Sequence, residues 1–122
     1  MTTEEKELLL KDLCARLPYR TKILITGEGG IEIDADLTTS TIDYFESWTV
    51  QPYLRPMSSM TEEEYYGEYQ CKVLIMRDAD ETLHWSETVD SIDWLLEHHF
   101  DFRGLIEKGL ALEAPKDMYK EK

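Results

Sequence analysis

The chain has 122 residues, 42% hydrophobic and 11% aromatic, which is enough apolar bulk for one domain with its own core and argues against a disordered acidic tail. Its 13 basic and 26 acidic residues leave a net charge of −13. A surface of that sign repels phosphate, so direct binding to nucleic acid is not expected and a basic protein is the expected partner.

The N-terminus, Met1 to Glu7, carries carboxylates where a signal peptide would carry a basic region and an apolar stretch. The longest apolar runs, Leu8 to Leu10 and Val73 to Met76, fall far short of the roughly 20 residues that a membrane-spanning helix needs. A cytoplasmic protein without membrane contact is expected. Thr2 and Glu5 have capping-box spacing, and Leu9, Leu10, Leu13, Cys14 and Leu17 recur at helical steps up to Pro18, so a helix over ~3–17 is predicted. Cys14 and Cys71 lie in different segments and have no Cys-x-x-Cys spacing. Two buried thiols in a reducing compartment are expected, with a disulfide or a metal role as alternatives.

Lys22 to Thr26 is a β-rich run, and Gly27-Glu28-Gly29-Gly30 reads as a turn into Ile31 to Leu37. In the second run Ile31, Ile33, Ala35 and Leu37 share one face, expected to be buried, while Glu32, Asp34 and Asp36 share the other, expected to be solvated. Thr41 to Val50 is read as a third strand. The prolines at 52 and 56 make residues 51–60 an extended, irregular connector and argue against a central strand there. Thr61 and Glu64 repeat the capping-box spacing, and Tyr65, Tyr69, Val73 and Met76 follow at helical steps, so a second helix spans ~62–76. Asp78 to Leu83 is a polar break. A third helix, ~88–99, carries Val89, Ile92, Leu95 and Leu96 and ends at His98 and His99, where positive charge suits a helix C-terminus. Gly104 and Gly109 then punctuate an apolar tail that ends before Pro115. The predicted class is α+β: a small antiparallel sheet of two to three strands within ~21–50, packed with about three helices.

Three windows hold no Lys or Arg: residues 23–54 with six carboxylates, 56–71 with four and 78–102 with eight, together 18 of the 26. Asp90, Asp93 and Glu97 fall in the last and are candidates for steering a basic partner, the physics of a nucleic-acid mimic; the alternative is a surface that only keeps the protein soluble. The connector places Tyr53, Leu54, Arg55, Pro56 and Met57 together, a composition enriched at interface hot spots. Its alternative role is a lid on the core. Arg103 beside Phe102 is a weaker contact candidate.

The glycine turn lacks the Gly-Lys-Ser/Thr ending of a phosphate loop and the spacing of a dinucleotide fingerprint. Glu32, Asp34 and Asp36 lack EF-hand spacing. Glu97, His98, His99 and Asp101, with His84, form the densest set of metal-capable groups. Adjacent histidines on a helix point about 100° apart, so capping or packing is the expected role. No catalytic residue, metal ligand or cofactor is assigned, and a metal-dependent hydrolase remains an alternative. Neither cysteine has a histidine neighbour, and no nucleophile elbow occurs.

Three stretches carry a resemblance: Leu9 to Tyr19 (LLKDLCARLPY), Pro52 to Glu64 (PYLRPMSSMTEEE) and Asp101 to Pro115 (DFRGLIEKGLALEAP). They are similar to a group of small uncharacterised proteins of gut bacteria of the Bacteroidales type, often found in phage or mobile-element neighbourhoods. The likeness covers both ends and the middle and is weakest over 20–50. That group has no assigned activity, so the resemblance implies an origin and no residue role. The expected function is a non-enzymatic accessory protein that binds another protein, with a structural or assembly role in a phage particle as a further alternative.

Overall fold

A computed structural model describes residues 2–69, 74–77, 83–86 and 89–119, with backbone alone at 68, 74–77 and 83–86. The fold is α+β. It opens with helix α1, Thr3–Arg16, whose capping box is complete: Glu5 N–H donates to Thr2 Oγ1 and Thr2 N–H to Glu5 Oε1. Strand β1, Lys22–Thr26, pairs antiparallel with β2, Glu32–Asp36, through the glycine turn, where Gly29 and Gly30 take positive φ. Gly27 is needed for a different reason, since a Cβ there would lie 3.0 Å from the Trp48 ring.

Two corrections concern the next segment. Residues 42–46 form a tight helical turn, and the third strand is β3, Thr49–Leu54, which lies centrally in the order β2-β1-β3-β6. The fourth member is the short parallel strand β6, Leu112–Glu113. Pro52 is therefore inside a central strand, against expectation. The Leu54 carbonyl accepts from Ala114 N–H, so even-numbered residues of β3 turn toward β6, and that pairing begins only at Tyr53. The missing proline N–H thus faces away from β1, where the ladder is unaffected.

The predicted second helix is shorter than its spacing implied. Helix α2, Glu62–Glu64, runs into a wider helical turn, Tyr65–Tyr69, and the chain is extended again in β4, Leu74–Arg77, which pairs antiparallel with β5, Leu83–Ser86. Met76 is therefore a strand residue. Val73, Cys71 and positions 78–82 of the polar break lie outside the described residues. Helix α3, Val89–Glu97, matches the third predicted helix.

The main core joins Leu9 and Leu13 of α1, Ile23 and Ile25 of β1, Val50 and Leu54 of β3, and Leu105 and Leu110 of the tail. A second cluster gathers Tyr69, Trp94, Leu95 and Phe100. On α1 the buried stripe is Leu9, Asp12, Leu13 and Arg16, so Cys14, expected to be buried, is exposed. The stripe shifts because Arg16 finds buried acceptors in Asp12 Oδ2 and the Phe100 carbonyl, each at 2.7 Å. On β2, Leu37 is buried beyond the strand end while Ile31 and Ile33 stay 61% and 42% exposed, so the apolar face is covered at one end only.

Helix α3 ends in a Schellman motif: Phe100 N–H donates to the Leu95 carbonyl, His99 N–H to the Leu96 carbonyl, and His99 takes φ 64°. Leu95 and Phe100, the apolar pair that accompanies such an end, are both fully buried. Leu95→Ala is expected to cost about 2–5 kcal/mol, read as a lower urea midpoint at unchanged slope. A loss under about 0.5 kcal/mol would mean that α3 does not pack through this residue.

Candidate functional site

Where β3 ends, Arg55 continues the chain with its backbone held between His99 and Asp101: Arg55 N–H donates to the His99 carbonyl and Asp101 N–H to the Arg55 carbonyl, both at 2.8 Å. Its guanidinium lies 4.1 Å from the Phe100 ring centre and grips Glu64 with two hydrogen bonds of 2.8 and 2.7 Å. Glu64 also closes the α2 capping box with Thr61, so one carboxylate caps a helix and anchors an arginine. Mainly through the Arg55 hydrogen bonds, it is held at about 2.

These groups form one wall of a cleft of about 740 Å³, whose other walls are the end of α3, with Glu97, His98 and His99, and the tail, with Glu113, Lys116, Asp117 and Tyr119. His99 bonds through Nδ1 to Thr21 Oγ1 at 3.0 Å and stacks on Tyr119 at 3.8 Å. The Tyr119 hydroxyl accepts from Lys22 N–H and donates to the Tyr53 carbonyl, at 2.8 and 2.7 Å. It thus substitutes for a backbone rung where β1 and β3 part. Burial pushes this phenol well above its ordinary range. Burial first, then Arg16, lowers His99 to about 4, so His99 is neutral at the helix end and not the cation expected there.

The predicted contact residues divide sharply. Leu54 is fully buried in the core and is corrected from partner contact to packing. Arg55 is committed to Glu64 and Phe100. Tyr53 is half-buried, with its hydroxyl donating to Asp34 Oδ1 at 3.0 Å. Pro56 lines the cleft, while Met57 is exposed. Arg103 faces inward: its Nε donates to buried Asp12 at 3.0 Å and its guanidinium stacks on Phe102, which corrects its reading as a contact residue. Asp90, Asp93 and Glu97 are all exposed along α3. Glu64 and Tyr119 were missed as site residues. The capping-box spacing identified Glu64 as a cap, but its pairing with Arg55 and the placement of Tyr119 have no local signal.

Among the described residues, no group of three or more His, Cys, Asp or Glu is placed to hold a metal ion. The His84 side chain lies outside them, and Asp101 is used as a cap, accepting from Leu105 and Ile106 N–H at 2.8 and 3.0 Å. Thr21 and His99 have the contact of a hydroxyl nucleophile with its base, but Thr21 is fully buried and no substrate can reach it. The cleft therefore offers a surface with an excess of carboxylates and an aromatic wall, suited to binding.

Acid should weaken the fold in two windows. The unfolded chain protonates His99 near 6.5 while the native chain resists to about 4, so stability is whole above pH 6.5 and falls as pH drops toward 4. Glu64 adds a loss that begins below its ordinary 4.5 and continues toward 2. His99→Asn, which tolerates positive φ, is expected to flatten the first window and leave the second, read from thermal midpoints across that pH range. An unchanged slope between 6.5 and 4 would show that His99 is not the group responsible.

No family model matches the chain, and comparison with curated proteins and with solved structures finds no match, so the cleft and the acidic helix are read from their own residues.

Proposed function

We propose that this chain is a non-enzymatic accessory protein of phage or mobile-element origin that recruits a basic protein through its carboxylate surface. The origin rests on the resemblance carried by residues 9–19, 52–64 and 101–115. The binding role is carried by one observation: Asp90, Asp93 and Glu97 are exposed on α3 at helical spacing, while Ser91, Trp94 and Leu95 of the same helix are buried. At about 100° per residue the three carboxylates fall within a narrow arc. They form no ion pair among the described residues.

Glu97 ends this stripe at the mouth of the cleft, where Glu113 and Asp117 outnumber Lys116 and the Arg55 charge is cancelled by Glu64. The field therefore continues from the helix into a concave surface. Low-dielectric walls focus such a field and raise the encounter rate with cations. Met57, exposed beside the cleft, supplies an adaptable apolar contact. Phosphate backbones are repelled by the same field, which favours a protein over a nucleic acid as the partner.

The test is kinetic. A partner recovered by affinity capture should bind with an association rate that falls by roughly tenfold or more between low and physiological salt. Asp90→Asn, Asp93→Asn and Glu97→Gln together should slow association more than they speed dissociation. An affinity indifferent to salt and to this triple variant would overturn the acidic reading and move the contact to the apolar residues around Met57.

A further inference from the structure

The open edge of β2 combines three features that the α3 surface does not use. Strand β2 is the edge of its sheet. The Ile31 carbonyl accepts from Gly27 N–H and Leu37 N–H donates to the Thr21 carbonyl, so odd-numbered residues turn their backbone toward β1. By alternation, Glu32, Asp34 and Asp36 turn theirs outward. Thr41 Oγ1 closes the Asp36 carbonyl at 2.8 Å. The N–H and C=O groups of Glu32 and Asp34 have no backbone partner among the described residues.

The second feature is apolar. Ile33 pairs with Ile25, whose side chain is buried on the inner face, yet Ile33 is 42% exposed and Ile31 is 61% exposed. The inner face of the sheet is therefore left uncovered where its edge is open. The third feature is charge on the opposite face. Asp36 is neutralised by Lys22 at 2.7 Å, whereas Asp34 accepts from the neutral Tyr53 hydroxyl, and among the described residues neither Asp34 nor Glu32 has an ion pair.

We propose that this edge accepts an extended basic segment of a partner protein as an added strand. Backbone groups of the segment pair with Glu32 and Asp34, its apolar side chains lie beside Ile31 and Ile33, and its Lys or Arg side chains lie beside the carboxylates. A second copy of β2 does not fit, because its carboxylates would face carboxylates across the new pair. The proposal rests on the reading of the partner as basic and adds the backbone geometry by which a segment of it is held.

The probe is a capped peptide of alternating lysine and valine, about eight residues long, added to the full chain and compared with an isomer that groups the lysines and valines in two blocks. The alternating peptide should slow amide exchange at Glu32 and Asp34 by about tenfold or more and the blocked isomer should not. Glu32→Pro removes one outward N–H; Ile31, at φ −66° and ψ 127°, already has the backbone that a residue before proline requires. This variant should lose binding by about tenfold or more, whereas Glu32→Gln, which keeps the N–H, should lose only a few-fold. Circular dichroism checks that Glu32→Pro folds; if it does not, the comparison of the two peptides decides.

Equal binding of both peptides, or full binding by a folded Glu32→Pro variant, overturns strand addition. Protection of Glu32 and Asp34 that grows with protein concentration alone also overturns it, in favour of self-pairing. The Asp90, Asp93 and Glu97 amide variant separates the two proposals. Loss of peptide binding in that variant, without protection at Glu32 in the parent, removes the edge and leaves the helix surface standing. Protection at Glu32 that survives in the variant, together with partner association that this variant leaves unchanged, does the reverse.

Discussion

The buried pair of Asp12 and Arg16 is the interaction on which the arrangement of the rest depends. Both side chains are fully buried, and they do not close on each other alone. Arg16 reaches from the last turn of α1 to the Phe100 carbonyl, 84 residues further along the chain. Asp12 gives its second oxygen to Arg103. Two charges taken out of water cost several kcal/mol each unless their hydrogen bonds are nearly complete, and removing one partner typically costs about 3–5 kcal/mol. The arrangement meets most of that demand, with Arg16 Nη1 alone lacking a partner among the described residues. Because the pair is satisfied only when residues 100–103 lie against α1, it fixes the position of the turn after α3 more stringently than apolar contact would.

From that fixed point the cleft follows. Phe100 held by its carbonyl presents its ring to Arg55, and Arg55 so placed meets Glu64. His99, forced to positive φ by the Schellman end, turns its ring between Thr21 and Tyr119. Arg55, Glu64, His99 and Tyr119 of the cleft wall are thereby committed to structural contacts. Glu97 and Glu113 of the same wall stay exposed.

That distribution bears on the field that an acidic chain of this size projects. Carboxylates scattered over a surface screen one another and steer weakly beyond a Debye length of about 8 Å. Here they are ordered by secondary structure, along one stripe of α3 and along one face of β2. The edge strand illustrates the double use of such charges. They discourage pairing with an identical strand, and they leave the same backbone groups open to a strand of opposite sign.

The sequence by itself determined what depends on neighbours a few residues apart. Both capping boxes, Thr2 with Glu5 and Thr61 with Glu64, are three-residue relations and form as their spacing predicts. The glycine turn is likewise local, as is α3; the alternation of β2 sets its two faces, but Ile31 and Ile33 stay exposed on the face it marks for burial. Tertiary structure decided whatever depends on a distant partner. Spacing put Leu10 and Cys14 on the apolar stripe of α1 and left Asp12 and Arg16 off it, and only the Phe100 carbonyl selects the polar pair for burial. Pro52 reads as a strand breaker until β6 is seen to begin pairing at Tyr53, which leaves the missing N–H without consequence. Leu54, Arg55 and Arg103 read as surface because composition cannot tell a hot spot from a core residue or an internal ion pair. Tyr119 gave no signal at all, because its hydroxyl bridges two strands that lie 97 and 66 residues away in the chain, and that distance is closed only by folding.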